Sequence, residues 1–90
     1  MNNEPEKQVY AAVRQMLADT SSHKTTLKTA VKFLHRALKV SGRELREECL
    51  YILGNSIKWS GQDHVRIKRT LRRYAFHPAV WDRSKIKKGR

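Results

Sequence analysis

Lysine and arginine side chains recur at helical spacing in the first half of the chain. They stand three or four residues apart with no acidic residue among them, at Lys24, Lys28, Lys32, Arg36, Lys39 and Arg43. On one α-helix this spacing keeps all six within an arc of about 120° and extends them over roughly 28 Å. Such a ridge can follow several phosphate groups. Because like charges one turn apart disfavour an isolated helix, the pattern predicts a surface for an anionic partner.

A second set of basic residues lies near the carboxyl end and is rich in arginine. Its members are Arg66, Lys68, Arg69, Arg72 and Arg73, followed by Lys85, Lys87 and Lys88. Arginine makes forked contacts to phosphate or to the acceptor edge of guanine. We expect the helical members to lie in a major groove or along a phosphate backbone, and the last three to act as a basic arm.

The net charge of +12 is concentrated in these two parts of the chain. Residues 23–43 carry a net +6 and residues 64–90 a net +9, whereas residues 1–22 and 44–63 carry −1 and −2. Nucleic acid is therefore the expected partner, DNA more than RNA, and we expect both basic sets to face it. Two alternatives stay open: an RNA or single-strand binder, and an interaction or inhibitor protein that docks on an acidic protein surface.

The sequence contains no pattern typical of an active site. The four histidines lack metal-ligand spacing, Cys49 is the only cysteine, and neither a glycine-rich phosphate loop nor an HExxH motif occurs. We therefore expect no enzyme, no cofactor and no metal site, with Cys49 as a small core residue. A single cysteine, the absence of a long apolar run and a polar amino terminus favour a cytoplasmic protein without membrane binding.

Four segments have the apolar periodicity of helices, and none alternates like a strand. Helices are expected over residues 5–19 and 22–40, from Ser41 through Ile57, and from Ser60 to Pro78. Ser41 with Glu44 resembles a capping box, in which side chains satisfy free amides at a helix start. These segments predict an all-α fold, a compact bundle of four helices with short joints and a basic C-terminal tail. Residues 1–83 form one domain, and residues 84–90 are expected to be disordered.

The predicted core consists of apolar residues on the inner faces of these helices: Val13, Leu17, Leu27, Val31, Leu34, Leu38, Leu45, Cys49, Ile52, Leu53, Ile67 and Leu71. Trp81 is expected to fold back on this core. Phe33 and Phe76 lie off the apolar stripes and are candidates for stacking on bases.

The short joints allow a helix-turn-helix motif. The fourth helix is the better candidate for its recognition helix, because the third helix is acidic and would repel DNA. Its carboxylates, Glu44, Glu47 and Glu48, form a candidate contact for a protein partner or a second copy of the chain.

Overall fold

The computed structural model describes residues 4–76, which form a bundle of four α-helices without a strand in that range. The helices are α1 (Glu4–Ala18), α2 (Val31–Ala37), α3 (Gly42–Gly54) and α4 (His64–Phe76), with a short 3₁₀ turn at Thr20–Ser22. The predicted all-α class and the four-helix bundle are confirmed. Trp81, the predicted tail at residues 84–90 and its basic residues Lys85, Lys87 and Lys88 lie outside the described residues.

Each helix packs chiefly against two others. Helix α1 contacts α2 and α4, and α3 contacts the same two helices. The pairs α1/α3 and α2/α4 therefore lie on the two diagonals of the bundle. Eight predicted core residues are fully buried, namely Val13, Leu27, Leu34, Leu45, Cys49, Ile52, Ile67 and Leu71. The other four, Leu17, Val31, Leu38 and Leu53, are partly buried and pack against them.

The second helix is shorter than the prediction of residues 22–40. Residues 23–30 form successive turns instead, in which backbone N–H groups bond to the carbonyl three residues earlier, as Lys28 does to Thr25 and Ala30 to Leu27. The segment contains closely spaced serines and threonines, whose hydroxyls compete for backbone groups and whose β-branches disfavour α-helix. The prediction that the six cations form a ridge on one straight helix is therefore wrong.

Helix α3 ends at Gly54, earlier than predicted, and Ile57 is 75% exposed rather than part of an apolar stripe. The joint to α4 spans residues 55–63 and is held inward by Trp59, which is buried. A helix-turn-helix uses a turn of three or four residues. The nine-residue joint therefore rules out that motif for α3 and α4.

The start of α3 is capped by another helix rather than by the predicted capping box. Ser41 makes no side-chain cap hydrogen bond. The Gly42 N–H instead donates to Oε2 of Glu6 at 2.7 Å, and the Tyr74 hydroxyl donates to the same oxygen at 3.0 Å. One carboxylate on α1 thus holds the start of α3 and the side of α4 together.

Candidate nucleic-acid interface

Helix α4 separates apolar from basic side chains on opposite faces. Ile67, Leu71, Tyr74 and Ala75 are buried against the other helices. The outer face carries Arg66, Arg69, Arg72 and Arg73 within about 120° of arc, together with Val65 and Phe76, and all six are exposed. The helix contains no acidic residue, so its outer face is positive throughout.

Two basic residues of α4 are engaged in holding the fold. Lys68 is partly buried and donates hydrogen bonds to the carbonyl oxygens of Trp59 at 2.8 Å and Ile57 at 3.2 Å. Burial, and to a smaller extent the charge of Arg72, lowers the pKa of Lys68. Arg66 pairs with Asp63 at 3.1 Å and bonds Gln15 at 2.9 Å. Lys68 thus connects α4 to the preceding joint, and Arg66 connects α4 to both the joint and α1.

The remaining arginines of α4 have free guanidinium groups. Within residues 4–76, no carboxylate lies within 4.0 Å of Arg69, Arg72 or Arg73. They line a groove of about 670 Å³ between the start of α1, at Pro5 and Gln8, and the end of α4. We call these three residues the arginine face. Phe76, 56% exposed, lies in the same groove.

The six cations predicted to form a ridge are all exposed, but they lie on different elements. Lys24 and Lys28 are in the turns before α2, Lys32 and Arg36 on α2, Lys39 in the following joint and Arg43 at the start of α3. Arg36 pairs with Glu48 at 3.4 Å. Lys39 and Arg36 line a groove with Glu44 and Glu47, so that end of the surface has mixed charge.

Of the three carboxylates predicted to form an acidic surface on α3, only two are exposed. Glu44 and Glu47 are exposed, whereas only 6% of Glu48 is exposed because α3 turns it toward Arg36 on α2. Glu48 is therefore not available to a partner protein in this fold.

The two basic surfaces lie on opposite edges of the bundle. The cations of α2 border α3, and the arginine face borders α1. Since α2 and α4 are on a diagonal of the bundle, the surface on α2 and the arginine face do not adjoin one another. The expectation that both basic sets face one partner stays a prediction.

An aromatic pair lies at the edge between α2 and α3. The rings of Phe33 and Tyr51 are 5.1 Å apart between centroids and tilted by 33°. Phe33 is partly buried, and Tyr51 is 48% exposed. The sequence predicts an exposed ring at Phe33 but does not by itself indicate the pairing with Tyr51. Tyr51 could have been found by its helical spacing, because it lies two residues after the inward-facing Cys49 and so points away from the core.

Cys49 is a buried core residue, as predicted. Burial, with a smaller effect from the charge of Glu48, raises the pKa of its thiol to about 12. Among the residues that the structure describes, no three His, Cys, Asp or Glu side chains are placed to hold a metal ion. In the same part of the chain, no helix has the length and apolarity needed to span a membrane.

Comparison of this chain with protein-family models, curated proteins and solved structures finds no match.

Proposed function

We propose that this domain binds nucleic acid, DNA in preference to RNA, as a regulator that uses α4 as its principal contact. The observation that carries the proposal is the arginine face, where three exposed guanidinium groups share one helix face and lack a carboxylate partner in the described residues. Charge-assisted, forked hydrogen bonds make arginine well suited to phosphate and to guanine. A partner rich in phosphate would supply the missing anions.

The form of α4 favours duplex DNA. Its 13 residues extend about 20 Å, and the major groove of B-DNA, about 12 Å wide, admits an α-helix. The deep, narrow major groove of A-form RNA does not admit side chains. Val65, 58% exposed, and Phe76 lie on the same face as the arginines and offer apolar contacts to thymine methyl groups.

The experiment is a fluorescence-anisotropy titration of a labelled duplex of about 20 base pairs at several salt concentrations. Wild type is compared with the double variant Arg69→Ala, Arg73→Ala and with a control, Lys7→Ala, Arg14→Ala, which removes the same charge from the exposed side of α1. We expect wild-type affinity to fall steeply with salt. The arginine variant should bind about 1–3 kcal/mol more weakly and show a smaller salt slope, with the control near wild type.

Equal losses in the two variants would mean that net charge alone decides binding, which would overturn the assignment to α4. A failure to bind DNA or RNA at low salt would overturn the proposal as a whole. Salt-sensitive binding to polyglutamate in that case would support docking on an acidic protein instead.

A further inference from the structure

The edge of the bundle between α2 and α3 carries a second surface, distinct from the arginine face. A groove of about 420 Å³ there is lined by Thr25, Thr26 and Thr29 on one side and by Asn55 and Lys58 on the other. Phe33 follows Thr29 by four residues, and the Asn55 amide donates to the Tyr51 carbonyl at 2.8 Å. Tyr51 therefore lies one helical turn before Asn55, which lines the groove.

The aromatic pair is open to a ligand on one side. Tyr51 packs against Phe33 and remains 48% exposed, so a face of its ring is free. Its hydroxyl makes no hydrogen bond to a residue that the structure describes. An aromatic side chain needed only for the core would bury more of its ring, as Trp59 and Tyr74 do at 2% and 6% exposure.

Cations of α2 lie beside the pair, and the exposed Glu47 lies one helical turn before Tyr51 on α3. The Lys32 ammonium lies 5.2 Å and the Arg36 guanidinium 5.9 Å from the Phe33 ring centroid, within the range of a cation–π interaction. Lys58 lines the groove and is exposed. A ligand that fits this edge has a flat aromatic group and negative charges a few ångströms away.

We propose that this edge binds a single nucleic-acid strand, with an unpaired base stacked on Tyr51 and adjacent phosphates contacted by Lys32, Lys58 and the threonine hydroxyls. Aromatic platforms combined with a basic groove are the usual means of binding single strands, whereas the bases of an intact duplex cover one another's faces. The inference rests on the proposed function for its class of partner, but it uses the edge opposite the arginine face. The domain can therefore hold a duplex on α4 and an unpaired strand on α2 and α3.

The experiment measures affinity for two probes, a labelled oligothymidine of about 15 nucleotides and the duplex used for α4. Tyr51→Ala should weaken binding of oligothymidine by roughly 5- to 150-fold, the factor that corresponds to about 1–3 kcal/mol per stacked base. Its affinity for the duplex should stay within about twofold of wild type, since α4 is untouched. Tyr51→Phe keeps the ring and should bind oligothymidine like wild type.

Phe76→Ala is the matched control, because it removes an aromatic ring of similar exposure from the opposite edge. It should weaken binding of the duplex, because Phe76 lies on the face assigned to the duplex, and should not reproduce the loss of oligothymidine binding expected for Tyr51→Ala. Ultraviolet crosslinking of a bromouracil-containing strand, mapped by mass spectrometry, should place the crosslink on the peptide with Tyr51. Thermal unfolding of each variant confirms that it is folded before affinities are compared.

The outcomes separate the two proposals. Wild-type affinity of Tyr51→Ala for oligothymidine, with duplex binding intact, would overturn this inference and leave the role of α4 standing. Equal weakening for both probes, or loss of oligothymidine binding only in Arg69→Ala, Arg73→Ala, would also overturn it. If the wild-type protein binds neither probe, the proposed function fails as well.

Discussion

The indole Nε1 of Trp59 donates a 2.8 Å hydrogen bond to Oδ2 of Asp19, a residue 40 positions earlier in the chain. The same carboxylate accepts hydrogen bonds from the hydroxyls of Ser21 and Ser22, both at 2.9 Å. Asp19 thus closes the end of α1 and anchors the joint that leads into α4. Because Lys68 of α4 also bonds the Trp59 carbonyl, this contact helps to set the direction of the arginine face.

Gly61 should not tolerate a side chain. A Cβ at this position would lie 2.6 Å from both Asp19 Oδ2 and Trp59 Nε1, closer than packed atoms approach. We expect Gly61→Ala to lower the free energy of unfolding by about 1–3 kcal/mol, as overpacking does. Gly54→Ala is the control, because nothing lies within 4 Å of its Cβ and its φ is not positive. It should be neutral or stabilise by up to about 1 kcal/mol. Urea unfolding of both variants measures the difference, and equal midpoints would contradict the packing at Gly61.

The hydrogen bond from Trp59, followed by those from Ser22 and Ser21, lowers the pKa of Asp19 in the folded protein. A carboxyl group whose folded pKa is below its unfolded value, about 3.9, stabilises the fold above that value. This contribution is lost as the pH falls through the lowered pKa. We expect the difference in melting temperature between wild type and Asp19→Asn to be largest near neutral pH, where Asp19 is ionised, and to shrink below about pH 4. Thermal unfolding across this range tests the prediction, and a difference independent of pH would contradict it.

The thiol of Cys49 should be unreactive in the folded protein, since burial raises its pKa to about 12 and the thiolate is the nucleophile. A disulfide reagent such as Ellman's should label it slowly at mildly alkaline pH and rapidly in concentrated denaturant. The labelling rate should follow the unfolded fraction as urea is added. Cys49→Ala should lose only modest stability and keep its affinity for nucleic acid. Fast labelling of the native protein, or lost binding in folded Cys49→Ala, would contradict this assignment.

The Glu6 carboxylate should stabilise the bundle through its two partners on other helices. Glu6→Ala leaves the Gly42 N–H and the Tyr74 hydroxyl without this acceptor, which we expect to cost about 1–3 kcal/mol of unfolding free energy. Glu6→Gln retains an acceptor oxygen and should cost less. A double-mutant cycle of Glu6→Ala with Tyr74→Phe should give a coupling energy of about 0.5 kcal/mol or more. Strict additivity of the two substitutions would show that Tyr74 and Glu6 do not interact.

Much of the fold could be predicted because it follows from apolar spacing along each segment. The starts of α1, α3 and α4 lie within a few residues of the predicted positions, and every predicted core residue is buried or partly buried. The predicted start of the second helix was wrong, because apolar spacing carries no information about serine and threonine hydroxyls that compete for backbone hydrogen bonds. Leu27 and Ala30 are buried through turns as well as they would be on a helix.

The candidate site could be predicted only in part. Arg69, Arg72 and Arg73 share a face because they are close in sequence on one regular helix. Lys68 bonds the joint before α4, and Arg36 pairs with Glu48 on another helix. These contacts join different elements, so sequence spacing could not show that Lys68 and Arg36 are paired within the fold whereas the other cations are not.

Spacing along the chain is sufficient to establish a basic, all-helical domain and the arginine-rich outer face of α4, because residues three or four apart meet on a helix whatever surrounds it. The separation of the two basic surfaces has a different origin. It arises because α2 and α4 each pack between α1 and α3. The pairing of Phe33 with Tyr51, 18 residues apart, likewise exists because α2 lies against α3. Such contacts depend on which apolar faces bury one another, a property of the whole bundle rather than of any one segment.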